Sequence, residues 1–157
     1  MNMVDLDDIK SRTTSVRDYI DGLKEQDKEK FLEVYNNYKL DSVVVDDLKD
    51  YLRDLTVVVF SAAWCGDCKR AMPVMLQIEE QLGLEVLVFG NIKTAPLDPD
   101  RQWAVPPSPP EIDEWGVTAI PWFNFYDADG NLVATIIEKP MVKETLEAEM
   151  LHVLKNK

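Results

Sequence analysis

The amino-acid sequence predicts an α/β fold with a central mixed β-sheet flanked by helices and preceded by a helical extension. A strand, a helix and a second strand follow one another over residues 56–89, the spacing of a parallel βαβ unit with a right-handed crossover. Two more strand-like runs flank a turn-forming cluster at residues 127–131, as in a β-hairpin. We therefore expect residues 1–55 to be a helical extension packed on a core of residues 56–157, forming one compact domain.

The N-terminal extension contains three segments with apolar residues at helical spacing. Their apolar stripes are Val16, Tyr19, Ile20 and Leu23, then Phe31, Val34, Tyr35 and Tyr38, then Leu48, Tyr51, Leu52 and Leu55. We expect Asp46 to cap the third helix. The run from Val43 to Val45 is either a short strand or the start of that helix. These helices form either an arm that binds a partner or, as we favour, a cover on the core.

The βαβ unit is defined by residue type and by one glycine. Thr56 to Phe60 is a β-branched run that suits a buried strand. A helix is expected from about Cys65 to Leu82, and Gly83 should end it because glycine accepts the left-handed backbone found after helices. Glu85 to Phe89 is the second buried strand.

The C-terminal part of the core should be a hairpin followed by a helix. The two strands are predicted at Ile120 to Tyr126 and Leu132 to Ile137. The last helix is predicted from Met141 to Asn156, and its apolar side is made of Val142, Leu146, Met150 and Leu154.

A proline-rich stretch from Lys93 to Pro110 separates these two parts of the core. It should be an ordered or partly extended loop, because dense proline sustains neither a helix nor a central strand. Trp103 within it either covers the active site or docks a partner or, as we favour, anchors the loop on the domain. The stretch holds six of the nine prolines: Pro96, Pro99, Pro106, Pro107, Pro109 and Pro110.

Composition and charge narrow the classes of partner and compartment. The formal net charge of -12 argues against nucleic acid and anionic membrane surfaces, whose binding requires Lys and Arg. The first ten residues are acidic where a secretory signal would be basic and then apolar. The longest apolar run, Val57 to Cys65, is shorter than the roughly 20 residues that span a bilayer. We therefore expect a soluble, cytoplasmic protein.

The two cysteines, Cys65 and Cys68, lie at C-x-x-C spacing where the first strand gives way to its helix. Backbone N–H groups and the helix dipole at that position stabilise a thiolate, the form that attacks disulfides. Cys65 would then be the nucleophile and Cys68 the thiol that resolves the mixed disulfide, with Gly66 allowing the tight approach of the turn. We expect no metal and no organic cofactor, because the cysteine pair itself carries the two electrons.

Three other interpretations of the cysteines stay open at this point. A zinc knuckle within one chain would need four ligands, whereas the chain has two cysteines and one histidine, His152, on the polar side of the last helix. The cysteines could also be two inert, buried thiols, although we expect an exposed position at the helix start. A dimer could share a metal through four thiolates.

Two motifs resemble those of the thioredoxin superfamily. The segment Phe60 to Lys69, with Pro73 five residues past the second cysteine, is similar to the active-site segment of that family. The segment Gly116 to Pro121 is similar to its second signature, a cis proline at the start of a strand. The resemblance implies a thioredoxin-like fold and thiol–disulfide exchange, and it covers about Thr56 to Leu154.

The resemblance also implies a substrate surface and two kinds of partner. Pro121, with Ile120 before it, would bind extended substrate backbone beside the disulfide, and Trp64 and Trp122 would form part of the surface. The partners implied are a disulfide-containing protein or small molecule, and a disulfide reductase or dithiol donor that returns the electrons. The sequence Cys-Gly-Asp-Cys is typical of a divergent group of thioredoxin-like proteins with helical N-terminal extensions.

The family's buried ion pair is missing, and Asp67 stands where typical thioredoxins have a proline between the cysteines; both departures affect the expected chemistry. Val59 stands where thioredoxins have a buried aspartate, and Val88 or Phe89 where they have its lysine partner. The usual base for the resolving thiol is therefore missing, and Asp67 is the nearest alternative in sequence. A carboxylate at Asp67 should also raise the pKa of Cys65, which favours a reductant. The alternative function is a thioredoxin-fold binding module without efficient turnover.

Overall fold

A computed structural model of the chain describes residues 3–95, 97 and 102–157. The helices of the described part are α1 (Leu6–Ser11), α2 (Val16–Asp21), α3 (Glu25–Asn37), α4 (Ser42–Leu52), α5 (Gly66–Leu82), α6 (Glu111–Glu114) and α7 (Leu146–Lys155). The strands are β1 (Thr56–Phe60), β2 (Glu85–Phe89), β3 (Trp122–Tyr126) and β4 (Leu132–Ile137). The predicted bounds of β1, β2 and β4 are confirmed, and β3 begins two residues later than predicted.

The four strands form one mixed sheet in the order β2-β1-β3-β4. β1 pairs in parallel with β2, whereas β1–β3 and β3–β4 are antiparallel. Every residue of β1 is buried, as expected for a central strand that is rich in valine. The chain enters α5 directly from β1, so the residues at this junction lie at the C-terminal end of a central strand.

Helices cover both faces of the sheet. On one face, Val74 of α5 and Leu146 of α7 line a shared cavity with Phe123 of β3. On the other face, Trp115 at the end of α6 packs against Phe60 and Tyr126, with ring centroids 5.6 Å apart in both pairs. The fold is thus the predicted mixed sheet flanked by helices.

The N-terminal helices pack on the core instead of extending from it as an arm. Thr14, just before α2, pairs with Val88 of β2 through two backbone hydrogen bonds, of 3.2 and 2.7 Å, at the edge of the sheet. Glu79 of α5 accepts hydrogen bonds from the backbone N–H groups of Val16 and Arg17, at 2.8 and 3.1 Å. The side chains that these helices bury in the core are Ile9, Val16, Tyr19, Ile20, Phe31, Val45, Leu48 and Leu52.

Two helix starts differ from the sequence prediction. The helix α4 begins at Ser42, not after Asp46, because the Asp41 side chain accepts hydrogen bonds from the N–H groups of Val43 and Val44. The run from Val43 to Val45 is therefore helical. The helix α1 was not predicted at all, since its six residues are too few to show a clear apolar period.

The last helix begins at Leu146 and not at Met141. The carboxylate of Glu149 accepts hydrogen bonds from the backbone N–H groups of Val142 and Lys143, at 3.1 and 2.8 Å, and this bends the preceding segment back over the helix start. Thr145 then caps α7. As a result, Val142 is exposed instead of lying on the buried side of the helix.

The described part of the proline-rich loop is held by specific contacts. Lys93 pairs with Val105, and the Ser108 hydroxyl bonds both backbone groups of Lys93. Trp103 is partly buried against the core, as the loop-anchor interpretation predicts. The peptide bond between Pro106 and Pro107 is cis. The short helix α6 follows directly after the loop. Two prolines of the loop, Pro96 and Pro99, lie outside the described residues.

Among the residues that the structure describes, none of the helices combines the length and the apolar character that crossing a membrane requires.

Candidate active site

The side chain of Cys65 caps the N-terminus of α5. Its backbone is extended, and its sulfur accepts a hydrogen bond from the backbone N–H of Cys68 at 3.2 Å. A sulfur in this position faces the unpaired N–H groups of the first helical turn and the positive end of the dipole. The hydrogen bond from the Cys68 side chain and the N–H groups of Cys68 and Asp67 lower the pKa of Cys65 to about 7.

A second contact joins Cys65 to the loop before β3. Its thiol donates to the backbone carbonyl of Ile120 at 3.6 Å, and the Ile120–Pro121 peptide bond is cis. The contact covers the sulfur, so Cys65 is only 8% exposed and not openly exposed as the sequence predicted. The structure therefore brings Cys65 against Ile120, the residue before the proline of the second motif.

Cys68 lies beneath Cys65 and is fully buried. Burial raises its pKa well above the ordinary value, and the hydrogen bond with Cys65 acts in the same direction. The Ser61 hydroxyl acts on this pKa in the opposite direction. The two thiols, both free in the structure, thus differ sharply in acidity, as a nucleophile and a resolving thiol require.

Two hydroxyl groups near Cys68 were missed by the sequence analysis. The hydroxyl groups of Tyr19 and Ser61 share a buried hydrogen bond of 3.0 Å. Tyr19 was read only as part of an apolar stripe, and Ser61 only as part of the segment Phe60 to Lys69. A signal was present, because a tyrosine on a buried helix face must find a partner for its hydroxyl group.

The roles predicted for Gly66 and Asp67 need correction. A Cβ atom at Gly66 would meet nothing within 4 Å, so no close approach requires glycine there. The Asp67 carboxylate does raise the pKa of Cys65, but the hydrogen bonds to the sulfur lower that pKa overall. Asp67 forms an ion pair with Arg70 at the start of α5.

The tryptophan residues of the two motifs differ in exposure. Trp64 is 56% exposed, and its indole N–H donates to the carbonyl of Ile92 at 3.2 Å, which fixes the ring beside the cysteines. Trp122 is half-buried, and its N–H bonds the Asn124 side chain within β3. Trp64 is thus the one of the two that presents apolar surface next to Cys65.

Apolar side chains occupy the two positions at which thioredoxins carry a buried ion pair. Val59 and Val88 are both buried and pair with each other across β1 and β2.

His152 is half-buried on α7 and contacts Asn156. Within the described ranges, no group of three His, Cys, Asp or Glu side chains is placed to hold a metal ion.

Comparisons with known proteins agree with this geometry. A family model described as thioredoxin matches residues 13–94, more than half of the chain and both cysteines. The chain is 34% identical over 83 residues to the chloroplastic thioredoxin-like protein HCF164 of Arabidopsis thaliana, and 33% identical over 83 residues to that of Oryza sativa subsp. japonica. Each match covers 52% of this chain, which spans only 28% of the length of those relatives.

The fold as a whole, including the N-terminal helices, also occurs in a solved structure. A protein of unknown function from Pseudomonas aeruginosa superposes with a TM-score of 0.72, covering 98% of this chain and 96% of its own. The sequences are 15% identical, so this likeness concerns the fold alone.

Proposed function

Because the chain belongs to the thioredoxin family, we propose that it is a thiol–disulfide oxidoreductase that reduces disulfides in protein or small-molecule substrates. The observation that carries the proposal is the sulfur of Cys65 at the start of α5. Its hydrogen bonds there lower its pKa to about 7, so a large fraction is thiolate at neutral pH. The thiolate is the form that attacks disulfides.

The reaction has two exchange steps. The Cys65 thiolate attacks one sulfur of the substrate disulfide, the S–S bond breaks, and the other substrate sulfur leaves as a thiolate. Cys68 then loses its proton and attacks the sulfur of Cys65, which releases the second substrate sulfur. The substrate disulfide gains two electrons and the cysteine pair loses two, so no further cofactor is required.

The oxidised pair must be reduced before the next turnover. A dithiol donor or a disulfide reductase would supply the two electrons by the reverse exchange. Because this cycle requires reducing partners, we place the protein in the cytoplasm, which keeps thiols reduced.

The substrate would lie over Cys65, between the second motif and Trp64. The carbonyl of Ile120 is already within reach of the Cys65 sulfur, and Pro121 follows it. The exposed indole of Trp64 offers apolar surface to the residues that flank the substrate disulfide. We assign substrate positioning to these three residues.

The acidity of Cys65 also bears on the direction of the reaction. A strongly depressed pKa stabilises the dithiol state and makes a protein an oxidant, whereas a value near 7 does so only weakly. With the pKa of Cys65 at about 7, we assign the pair to the reductants.

A redox titration tests the proposal. Purified protein is equilibrated in dithiol buffers of graded potential, and its free thiols are alkylated and counted by mass spectrometry. We expect a single two-electron transition between roughly -200 and -300 mV, the range of known dithiol reductants. The Cys68→Ser variant, which cannot form the internal disulfide, serves as the control. Thiols that stay reduced at every potential would contradict the proposal and favour a binding module.

A further inference from the structure

Resting on the proposed function, we propose that a cavity next to Asp67 selects substrates that carry a lysine or arginine close to their disulfide. The aliphatic stem of that side chain packs on the apolar floor of the cavity, and its charged group lies among the carboxylate residues around it. The proposal adds a substrate class, disulfides in basic peptide segments, to the exchange chemistry of Cys65.

The cavity lies next to both motifs of the active site. Its volume is about 320 Å³, and it is lined by residues of α5, of α7 and of the segment between β4 and α7. Asp67 lines it from the first turn of α5, two residues after Cys65. Glu138 lines it from the segment after β4 and donates its backbone N–H to the carbonyl of Pro121 at 2.7 Å. A peptide that extends from Cys65 along the second motif therefore reaches this cavity.

The floor of the cavity is apolar and comes from several elements. Val74 of α5, Phe123 of β3 and Leu146 of α7 line it, and all three are buried. Tyr38, just after α3, also lines it and is held by a hydrogen bond of 2.6 Å from its hydroxyl to Glu147. This floor offers packing to methylene groups, which lysine and arginine bury while their charged ends stay in water.

Charged residues also line the cavity, and acidic residues outnumber basic ones. The acidic residues are Asp67, Glu138 and Glu144, and the basic residues are Arg70 and Lys139. Asp67 and Arg70 form an ion pair with each other. Among the ion pairs of the part of the chain that the structure describes, none includes the other three, which leaves two carboxylates and one ammonium group. The local charge is therefore negative.

This charge acts on a substrate without direct contact. Charges at a protein surface attract one another over a range of about 10 Å at an ionic strength of about 0.1 M. A cationic group in the cavity lies within that range of the residues that line it. The same field repels an acidic segment, so the cavity discriminates by the sign of the charge as well as by shape.

Glu138 is the acidic residue that we assign as specificity-determining. Its φ of 69° lies in the left-handed region that glycine adopts without strain, so a glutamate stands where the backbone alone favours glycine. The hydrogen bond from its N–H to Pro121 fixes this residue relative to the second motif. Glu144 lines the cavity from the same connecting segment, just before α7.

The test compares peptides that differ in one side chain. Each contains a single cysteine in a mixed disulfide with thionitrobenzoate, so attack by Cys65 on the peptide sulfur releases the coloured thiolate, which stopped-flow absorbance follows. Positions flanking the cysteine carry in turn lysine, norleucine as an uncharged stem of similar shape, glutamate or alanine. Each rate is divided by that with 2-mercaptoethanol, which corrects for the intrinsic reactivity of the disulfide.

The expected order of the corrected rates is lysine, norleucine, alanine and glutamate. Lysine should exceed norleucine about 3-fold, as for an exposed ion pair, and the ratio should fall as salt is added. Norleucine should exceed alanine about 4-fold, the value for one buried methylene group.

Variants separate the charge from the floor. Glu138→Gln and Glu144→Gln should each lower the ratio of lysine to norleucine, and the double variant should abolish it, while the ratio of norleucine to alanine stays unchanged. Ala71→Leu, which enlarges a side chain that lines the cavity, should lower the second ratio. Glu29→Gln is the matched control, because it removes the same charge from an exposed position on α3 away from the cavity lining.

The outcomes distinguish the selectivity of the cavity from the proposed function. Equal corrected rates for lysine and norleucine, or a preference for lysine that persists in the double variant, would overturn the selectivity alone. A preference for glutamate would also overturn it and would assign the cavity to acidic segments through Arg70 and Lys139. If no peptide released thionitrobenzoate, or if Cys65→Ser released it as fast as the wild type, the proposed function itself would fail.

Discussion

The two cysteines lie three positions apart in sequence, yet different features of the fold determine the pKa of each. Cys65 is governed by its own helix, since backbone N–H groups of the first turn of α5 bond its sulfur and lower its pKa. The pKa of Cys68 is governed by burial, which raises it, and by the Cys65 side chain, which acts in the same direction. The two thiols thus differ in acidity, with a lowered pKa at Cys65 and a raised pKa at Cys68.

The difference shows that the two halves of the chemistry depend on different lengths of chain. The nucleophile needs only a strand, a turn and a helix start. The N-terminal helices reach the surroundings of Cys68 as well, because Tyr19 of α2 shares a buried hydrogen bond with Ser61. The N-terminal extension therefore contributes a side chain close to the cysteines in addition to covering the sheet.

The largest effect expected is the separation of the two cysteines by mutation. Cys65→Ser should reduce disulfide turnover to the background rate, while Cys68→Ser should still react once and accumulate a mixed disulfide at Cys65. Mass spectrometry of the protein after reaction with a disulfide substrate distinguishes the two. Serine is itself a good N-cap residue, so Cys65→Ser removes the thiol while keeping the helix start.

The opposite assignment would appear as a mixed disulfide trapped at Cys68 in the Cys65→Ser variant. That result would break the comparison, because the buried thiol would then be the one that meets substrate.

A smaller effect is expected from crowding the contact between β2 and α2. Gly90→Ala would place a Cβ 2.6 Å from the ring of Tyr19, which must shift, and this should lower the free energy of unfolding by about 1–3 kcal/mol. Gly66→Ala is the matched control, because a Cβ there meets nothing within 4 Å. Urea denaturation of both variants measures the difference.

The same pair of variants sharpens the comparison between the cysteines. Gly90→Ala displaces the ring of Tyr19 and leaves the first turn of α5 unchanged. The pH profile of Cys65 alkylation should therefore stay as in the wild type. Equal destabilisation by both substitutions would show that the Tyr19 ring is not held against Gly90.

The parts predicted well from the sequence are those encoded locally. The strands β1 and β2 are short apolar runs bounded by a helix, and Gly83 ends α5 with a φ of 67°, a conformation that glycine adopts without strain. The cysteines were recognised because spacing and helix position are both visible in sequence.

The parts missed depend on contacts between distant residues. The bond between Tyr19 and Ser61 joins positions 42 residues apart. The start of α7 was misplaced because Glu149 bonds the backbone of the preceding segment, which periodicity does not reveal. The sequence showed both influences on the pKa of Cys65, the helix start and Asp67, but not their balance, which depends on the hydrogen bonds that the sulfur makes.

The most direct test of the asymmetry is the pH dependence of alkylation of each cysteine in the native, reduced protein. Iodoacetamide is reacted for fixed times between pH 5 and 9, and the two sites are quantified separately by peptide mass spectrometry. Cys65 should reach half its maximal rate near pH 7, with the rate falling about tenfold per pH unit well below that. Cys68 should react only after denaturation. Equal reactivity of the two thiols, or a midpoint for Cys65 near the ordinary value of about 8.5, would contradict the account.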